Sequence, residues 1–162
     1  MPESPDLYPG LSVIEHIRLL ERLNMVERAD EHLHDVIARF GLADKLDALP
    51  HELSQGMKRK LTLILALRKG ARLFLFDEPF NGLDPVATRE LRLELRRLAD
   101  EGNGVLLSMH GLGELQKIAD RVLCLIGGRV VRSINMRETS GEADDALEDI
   151  YLSVVGGGSE DR

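Results

Sequence analysis

Apolar and polar positions recur along this chain with two periods, and each change of period marks a new element. Behind Ser12-x-x-Glu15, the residues Ile14, Ile17, Leu19 and Leu20 fall at helical spacing. The serine and glutamate form a pair that satisfies free backbone N–H groups at a helix start, so a helix is expected to open there. A second helix is expected over 27–40, with Val36, Ile37 and Phe40 inward and Gly41 ending it. A third is expected over 54–69, with Ser54 as its cap, an apolar run at 61–67, and Arg68 and Lys69 as cations in the last turn before Gly70. Residues 72–77 are almost continuously apolar, the pattern of a strand buried on both faces. Asp84 and Pro85 then open a fourth helix as N-cap and first residue. Its inward stripe is Leu91, Leu95 and Leu98, with Arg89, Glu90, Glu94 and Arg97 on the outside. Beyond the turn at 102–104 the pattern predicts a strand over 105–109, a short helix over 112–119, and a hairpin of 122–126 and 130–134 about Gly127-Gly128. Pro2, Pro5, Pro9 and Gly10 make residues 1–11 an irregular loop. Residues 137–145 read as loose, 146–155 as an amphipathic helix and 156–162 as a disordered tail.

Composition narrows the class. At 162 residues the chain is long enough for a domain with its own core. Only 4% of residues are aromatic and none is Trp, so that core is expected to be built from Leu, Ile, Val and Ala. A net charge of −7 argues against a nucleic-acid surface, which needs clustered Lys and Arg. No apolar run approaches the ~20 residues that span a bilayer. The start, Met1-Pro2-Glu3, has neither the basic nor the apolar region of a signal peptide, and a cytoplasmic location is expected. Cys124 is the sole cysteine, expected as a buried small side chain without a disulfide or metal partner. His32 and His34, two apart, point to different helix faces, and His16 and His51 are isolated; structural or solvated roles are expected for all four.

Two stretches carry chemistry. Leu53-Ser54-Gln55-Gly56-Met57-Lys58-Arg59-Lys60 opens a helix with a capping serine and a glycine that lets another group approach the backbone. A helix start presents unpaired N–H groups and partial positive charge, so phosphate is a natural ligand. The basic run 58–60 is expected to add positive potential at that end. Leu73-Phe74-Leu75-Phe76-Asp77-Glu78-Pro79 ends a strand in two adjacent carboxylates, where open α/β sheets place their ligands.

Together these stretches resemble the signature and Walker B motifs of ABC-type ATPases. Asn81-Gly82-Leu83-Asp84 looks like the D-loop, Ser108-Met109-His110 like the H-loop, and Asp120-Arg121 with Gly127-Gly128-Arg129 like the closing strands. The four motifs stand in the family's order. Signature positions 55 and 57 carry Gln and Met where the commonest form has Gly and Gln, and Glu3 stands at the Q-loop glutamine. No G-x-x-x-x-G-K-[ST] occurs in the 162 residues, and Gly156-Gly157-Gly158-Ser159 lacks the lysine and the following helix.

The resemblance implies an α/β fold: a partial P-loop NTPase (RecA-like) core with an ABC-type helical subdomain. The expected division is a helical subdomain at 1–70, the second half of the ATPase core at 71–136, and a terminal helix and tail at 137–162. It implies ATP and Mg²⁺ as cofactors. Asp77, with Glu3, would ligate the metal. Glu78 would be the general base and His110 would contact the γ-phosphate. Ser54, Gln55 and Gly56 would bind nucleotide held by a second ATPase domain in a head-to-tail dimer, and Asp84 would cross that interface. Expected partners are that second domain and a membrane permease, with the chain peripheral at the inner face of the cell membrane. The subfamily most resembled is the bacterial ABC-2 or multidrug exporters. Without a P-loop the chain is expected to be inactive alone. The P-loop strand is expected between the strands at 105–109 and 122–126, leaving apolar edges at that gap. Two alternatives stay open: a chromosome-maintenance ATPase, which would insert a long coiled coil before the signature, and a non-catalytic remnant kept as an interaction module.

Overall fold

The computed structural model describes residues 7–25 and 30–136, with backbone alone for 30–32. The expected terminal helix and tail, the Q-loop position Glu3 and the start of the second helix lie outside the described residues. The chain divides into two units, Met1–Ser108 and Met109–Arg162.

The first unit begins at the capping box. Glu15 Oε2 accepts from the Ser12 N–H at 2.8 Å, and Ser12 Oγ accepts from the Glu15 N–H at 3.4 Å. Helix α1 (Val13–Leu23) buries Val13, Ile14 and Ile17. Its His16 is buried between two backbone groups: Nε2 accepts from the Tyr8 N–H at 2.9 Å, and Nδ1 lies 2.8 Å from the Ser12 carbonyl, to which it donates. Helix α2 (Asp30–Arg39) stops at Gly41, whose φ of +71° favours glycine. The Gly41 N–H reaches the Ala38 carbonyl and the Leu42 N–H the Ile37 carbonyl, and both Ile37 and Leu42 are buried. These are the two bonds of a Schellman stop with its apolar contact. Helix α3 (Gln55–Leu67) buries Leu61, Leu63, Ile64 and Leu67. Arg68, expected as a cation closing this helix, is 2% exposed and paired with Glu21 of α1. Burial without that carboxylate would strand a full charge.

Strand β1 (Leu73–Asp77) runs parallel to β2 (Gly104–Ser108), with helix α4 (Pro85–Asp100) crossing between them. The expectation that β1 is buried on both faces is corrected. Phe74 and Phe76 are buried, but Leu73 and Leu75 are 61% and 64% exposed, as is Leu106 at 56%. In the parallel register these leucines share one face, which nothing covers among the described residues. Within the described residues, β2 pairs with β1 alone.

The outer face expected for Glu90 and Glu94 is also corrected, since both are buried. Arg39 of α2 explains why. It reaches Glu94 Oε1 at 2.5 Å and Glu90 Oε2 at 3.5 Å, while Arg97 donates to Glu94 Oε2 at 3.0 Å. A charged pair tolerates burial when its oxygens are filled in this way. Burial alone pushes the Glu94 carboxyl up, yet hydrogen bonds and charge from Arg97 and Arg39 outweigh it and hold the group below its ordinary value. A carboxylate depressed in the folded state adds stability above its unfolded pKa of about 4.3 and loses it as pH falls through the lower folded value. Urea unfolding is therefore expected to become easier below about pH 4.3, with Glu94→Gln flattening that acid limb. An unchanged acid limb in the variant would remove Glu94 from the account.

The second unit holds helix α5 (Leu112–Ile118) and the antiparallel hairpin β3 (Arg121–Ile126) and β4 (Arg129–Asn135). Gly127 and Gly128 both have positive φ, +56° and +76°, as the two-residue turn between twisted strands requires. Val122 and Ile134 face each other across the ladder and are buried with Leu115, Ala119 and Met136 around them. Cys124, expected buried, is half-buried beside the register shift. No helix among the described residues is long and apolar enough to cross a membrane.

Candidate nucleotide site

The site is built at the C-terminal ends of β1 and β2. The register sets Asp77 opposite Ser108, whose hydroxyl donates to Asp77 Oδ1. The next N–H, that of Glu78, donates to the Ser108 carbonyl at 3.0 Å, closing the strand pair. Glu78 then turns sharply, with φ at +45°. A left-handed conformation costs a non-glycine residue about 1–2 kcal/mol. The position before a proline is further biased toward extended backbone, and Pro79 follows. Such strain persists where the surroundings enforce it, and it collects at working sites. Asp77 is exposed and Glu78 half-buried.

The α3 entrance lies in the same unit. Ser54 Oγ accepts from the Met57 N–H at 3.2 Å, so the expected cap is present, and its own proton is left to donate outward. Gly56 has no positive φ, and a Cβ built there would meet only Ser54 Oγ, at 4.0 Å. Among the described residues nothing therefore demands glycine at this helical position. Gly56→Ala is expected to stabilise the fold by about 0.5–1 kcal/mol, since alanine is the better helix former, while weakening any ligand that approaches this turn. Thermal unfolding with and without ATP, for this chain mixed with a P-loop-bearing segment of a related subunit (the P-loop-complemented assembly), checks both halves. A variant both stabilised and fully responsive to ATP would mean the turn receives no ligand.

Arg59 and Lys60 tie the two stretches together. Arg59 Nη2 donates to the Glu78 carbonyl at 2.6 Å, and Lys60 Nζ sits 2.5 Å from Asp84 Oδ2. The basic run thus spends two of its three charges inside the chain instead of facing a phosphate. Asp84 also caps α4, its Oδ1 accepting from the Ala87 N–H at 2.9 Å. The Lys60 hydrogen bond, then the Ala87 N–H, hold its carboxyl below the ordinary value.

Of the remaining expected residues, Gln55 is exposed as the first residue of α3. His110 is exposed and belongs to the second unit. Motif reading missed Ser108 as the partner of both carboxylate residues, and Arg59 as the partner of Glu78. For Ser108 the signal was available: two equal strands ending in Asp77 and Ser108 pair those residues if the register is unshifted. For Arg59 no one-dimensional signal exists.

A family model described as AAA domain, putative AbiEii toxin, Type IV TA system, matches residues 6–111. The ABC-type transporter ATP-binding protein EcsA of Bacillus subtilis (strain 168) is 32% identical over 96% of this chain and 65% of its own length. The uncharacterized ABC transporter ATP-binding protein YthP of the same organism is 30% identical over 96% of this chain and 69% of its own. A solved structure of an ATP binding subunit of an ABC transporter superposes with a TM-score of 0.83 at 31% identity, covering 95% of this chain and 66% of that one. The chain spans about two thirds of the length of these relatives and about half of others. The α/β arrangement and its likeness to that subunit define a domain of the P-loop NTPase class. Within that class, the chain belongs to the family of ABC transporter ATP-binding proteins.

Proposed function

We propose that this chain supplies the Walker B, signature and D-loop parts of an ATP-hydrolysing subunit, which act on nucleotide cradled by a P-loop and drive a membrane permease. The observation that carries the reading is the joining, in one unit, of the Asp77–Glu78 strand end and the Ser54–Gly56 turn through Arg59 and Lys60. Asp77, with Ser108 beside it, offers the hard oxygen donors that suit Mg²⁺, and Glu3 is a further proposed ligand. Bound there, Mg²⁺ would neutralise phosphate charge. Glu78 accepts the proton of the attacking water as its oxygen bonds to the γ-phosphorus and the β–γ bridging bond breaks, releasing ADP. His110 steadies the γ-phosphate. Ser54, Gln55 and Gly56 receive the nucleotide of a second ATPase domain, and Asp84 stands at that interface. The assembly sits at the inner face of the cell membrane through its permease.

The test is hydrolysis of ATP by this chain alone, by a P-loop-bearing segment of a related subunit alone, and by the two mixed. Turnover only in the mixture supports the reading. No turnover in any arm, with the two pieces associated, favours the non-catalytic interaction module.

A further inference from the structure

Resting on the function just proposed, we infer that Arg59 is a positioning residue that fixes the direction of the Glu78 carboxylate from the signature helix. Glu78 occupies a backbone conformation that neither its side chain nor the following proline favours. Among the contacts that hold its backbone are three hydrogen bonds. Its N–H is taken by the Ser108 carbonyl at 3.0 Å, and its own carbonyl accepts from the Asn81 N–H at 3.3 Å and from Arg59 Nη2 at 2.6 Å. The first two are backbone bonds that many side chains at these positions would permit. The third is the shortest, is charge-assisted, and comes from another element.

Arg59 is also placed so that it cannot easily turn elsewhere. Its Nε is buried with no hydrogen-bond partner among the described residues, and its stem passes Gly82, where a Cβ would lie 3.9 Å from Arg59 Cδ. Gly82 itself has φ of +71°. The guanidinium therefore fits between the end of β1 and the 81–84 loop, and Lys60 closes the far side of that loop on Asp84. Since Ser54 caps the same helix little more than a turn earlier, the ligand-facing turn and the Glu78 peptide move as one body. A shift of α3 reaches the carboxylate through one hydrogen bond.

Two measurements on Arg59→Met and Arg59→Lys test this. Methionine keeps the apolar stem and removes the donor, whereas lysine restores one donor. In the full chain, amide hydrogen exchange at Glu78 and Asn81 is expected to accelerate about tenfold or more in Arg59→Met, with Leu91 and Leu95 unchanged and Arg59→Lys intermediate. In the P-loop-complemented assembly, kcat is expected to fall about ten- to a hundredfold in Arg59→Met, with KM for ATP unchanged and partial recovery in Arg59→Lys. Unchanged exchange at Glu78 in Arg59→Met overturns the inference even if ATP is hydrolysed normally. An assembly that never hydrolyses ATP overturns the proposed function, while the exchange measurement still decides the role of Arg59. Should Arg59→Met not fold, wild-type exchange and kcat in Arg59→Lys would sink the inference by themselves.

Discussion

Glu78→Gln is expected to lower ATP turnover of the complemented assembly by about 10²- to 10⁴-fold, the range a positioned general base contributes. Glutamine matches the shape of glutamate and keeps an acceptor oxygen, so the water can still be held, but it cannot take up a proton at neutral pH. The backbone consequences are small. Both residues bear the same left-handed strain at φ +45°, and the bonds from Ser108, Asn81 and Arg59 involve the peptide group, not the side chain. The substitution should therefore leave these peptide bonds in place while kcat collapses. KM for ATP should hold as well, because the carboxylate acts on the water and the phosphates are held by other groups; a change confined to kcat is the mark of an interaction made in the transition state. Steady-state kinetics with a parallel urea melt separates the two quantities. Turnover within a factor of a few of wild type would remove Glu78 from the base role, and a large fall in stability would make it a structural residue.

How far the chain could be read in one dimension depends on whether a feature is local. The capping box at Ser12 and Glu15, the Gly41 stop, the Ser54 and Asp84 caps and the Gly127-Gly128 turn all involve residues within a few positions of each other, and each stands where the pattern puts it. What escaped is set by contacts between distant segments. Glu90 and Glu94 look solvent-facing on a helical wheel and become core residues because Arg39, more than fifty positions earlier, arrives against them. Leu73 and Leu75 fail in the opposite sense: an apolar strand states what its faces can tolerate, and exposure depends on what covers them. The same limit applies to the site. Motif spacing singled out Asp77, Glu78, Ser54 and Asp84 and ended the first strand at Asp77, as β1 does, but ran the second to 109, one residue past Ser108. It could not show that Arg59 and Lys60, which resemble phosphate-facing charge, close back on Glu78 and Asp84.

Glu21→Gln is expected to destabilise the chain by about 3–5 kcal/mol, the cost of stripping one partner from a buried ion pair. Arg68 ends α3 at 2% exposure, and its Nε donates to Glu21 Oε1 at 2.5 Å with Nη2 beside the same oxygen. Its Nη1 is buried with no hydrogen-bond partner among the described residues, so Glu21 is the main compensation for the charge. Many buried groups escape such a loss by changing protonation; a guanidinium stays charged and cannot. Glutamine preserves the volume, and the fall therefore measures lost charge, not a cavity. For a chain of this size each 1 kcal/mol lowers Tm by about 2–4 °C, giving a drop of roughly 6–20 °C. The double variant Glu21→Leu with Arg68→Met makes the sharper case. If the pair is a net cost of desolvation offset by attraction, removing both charges should restore wild-type stability or exceed it by about 1–4 kcal/mol. If the double variant stays as unstable as Glu21→Gln, the geometry of the pair, and not its charge balance, holds α1 against α3. A single variant that melts like wild type would show that water reaches Arg68 despite its enclosure.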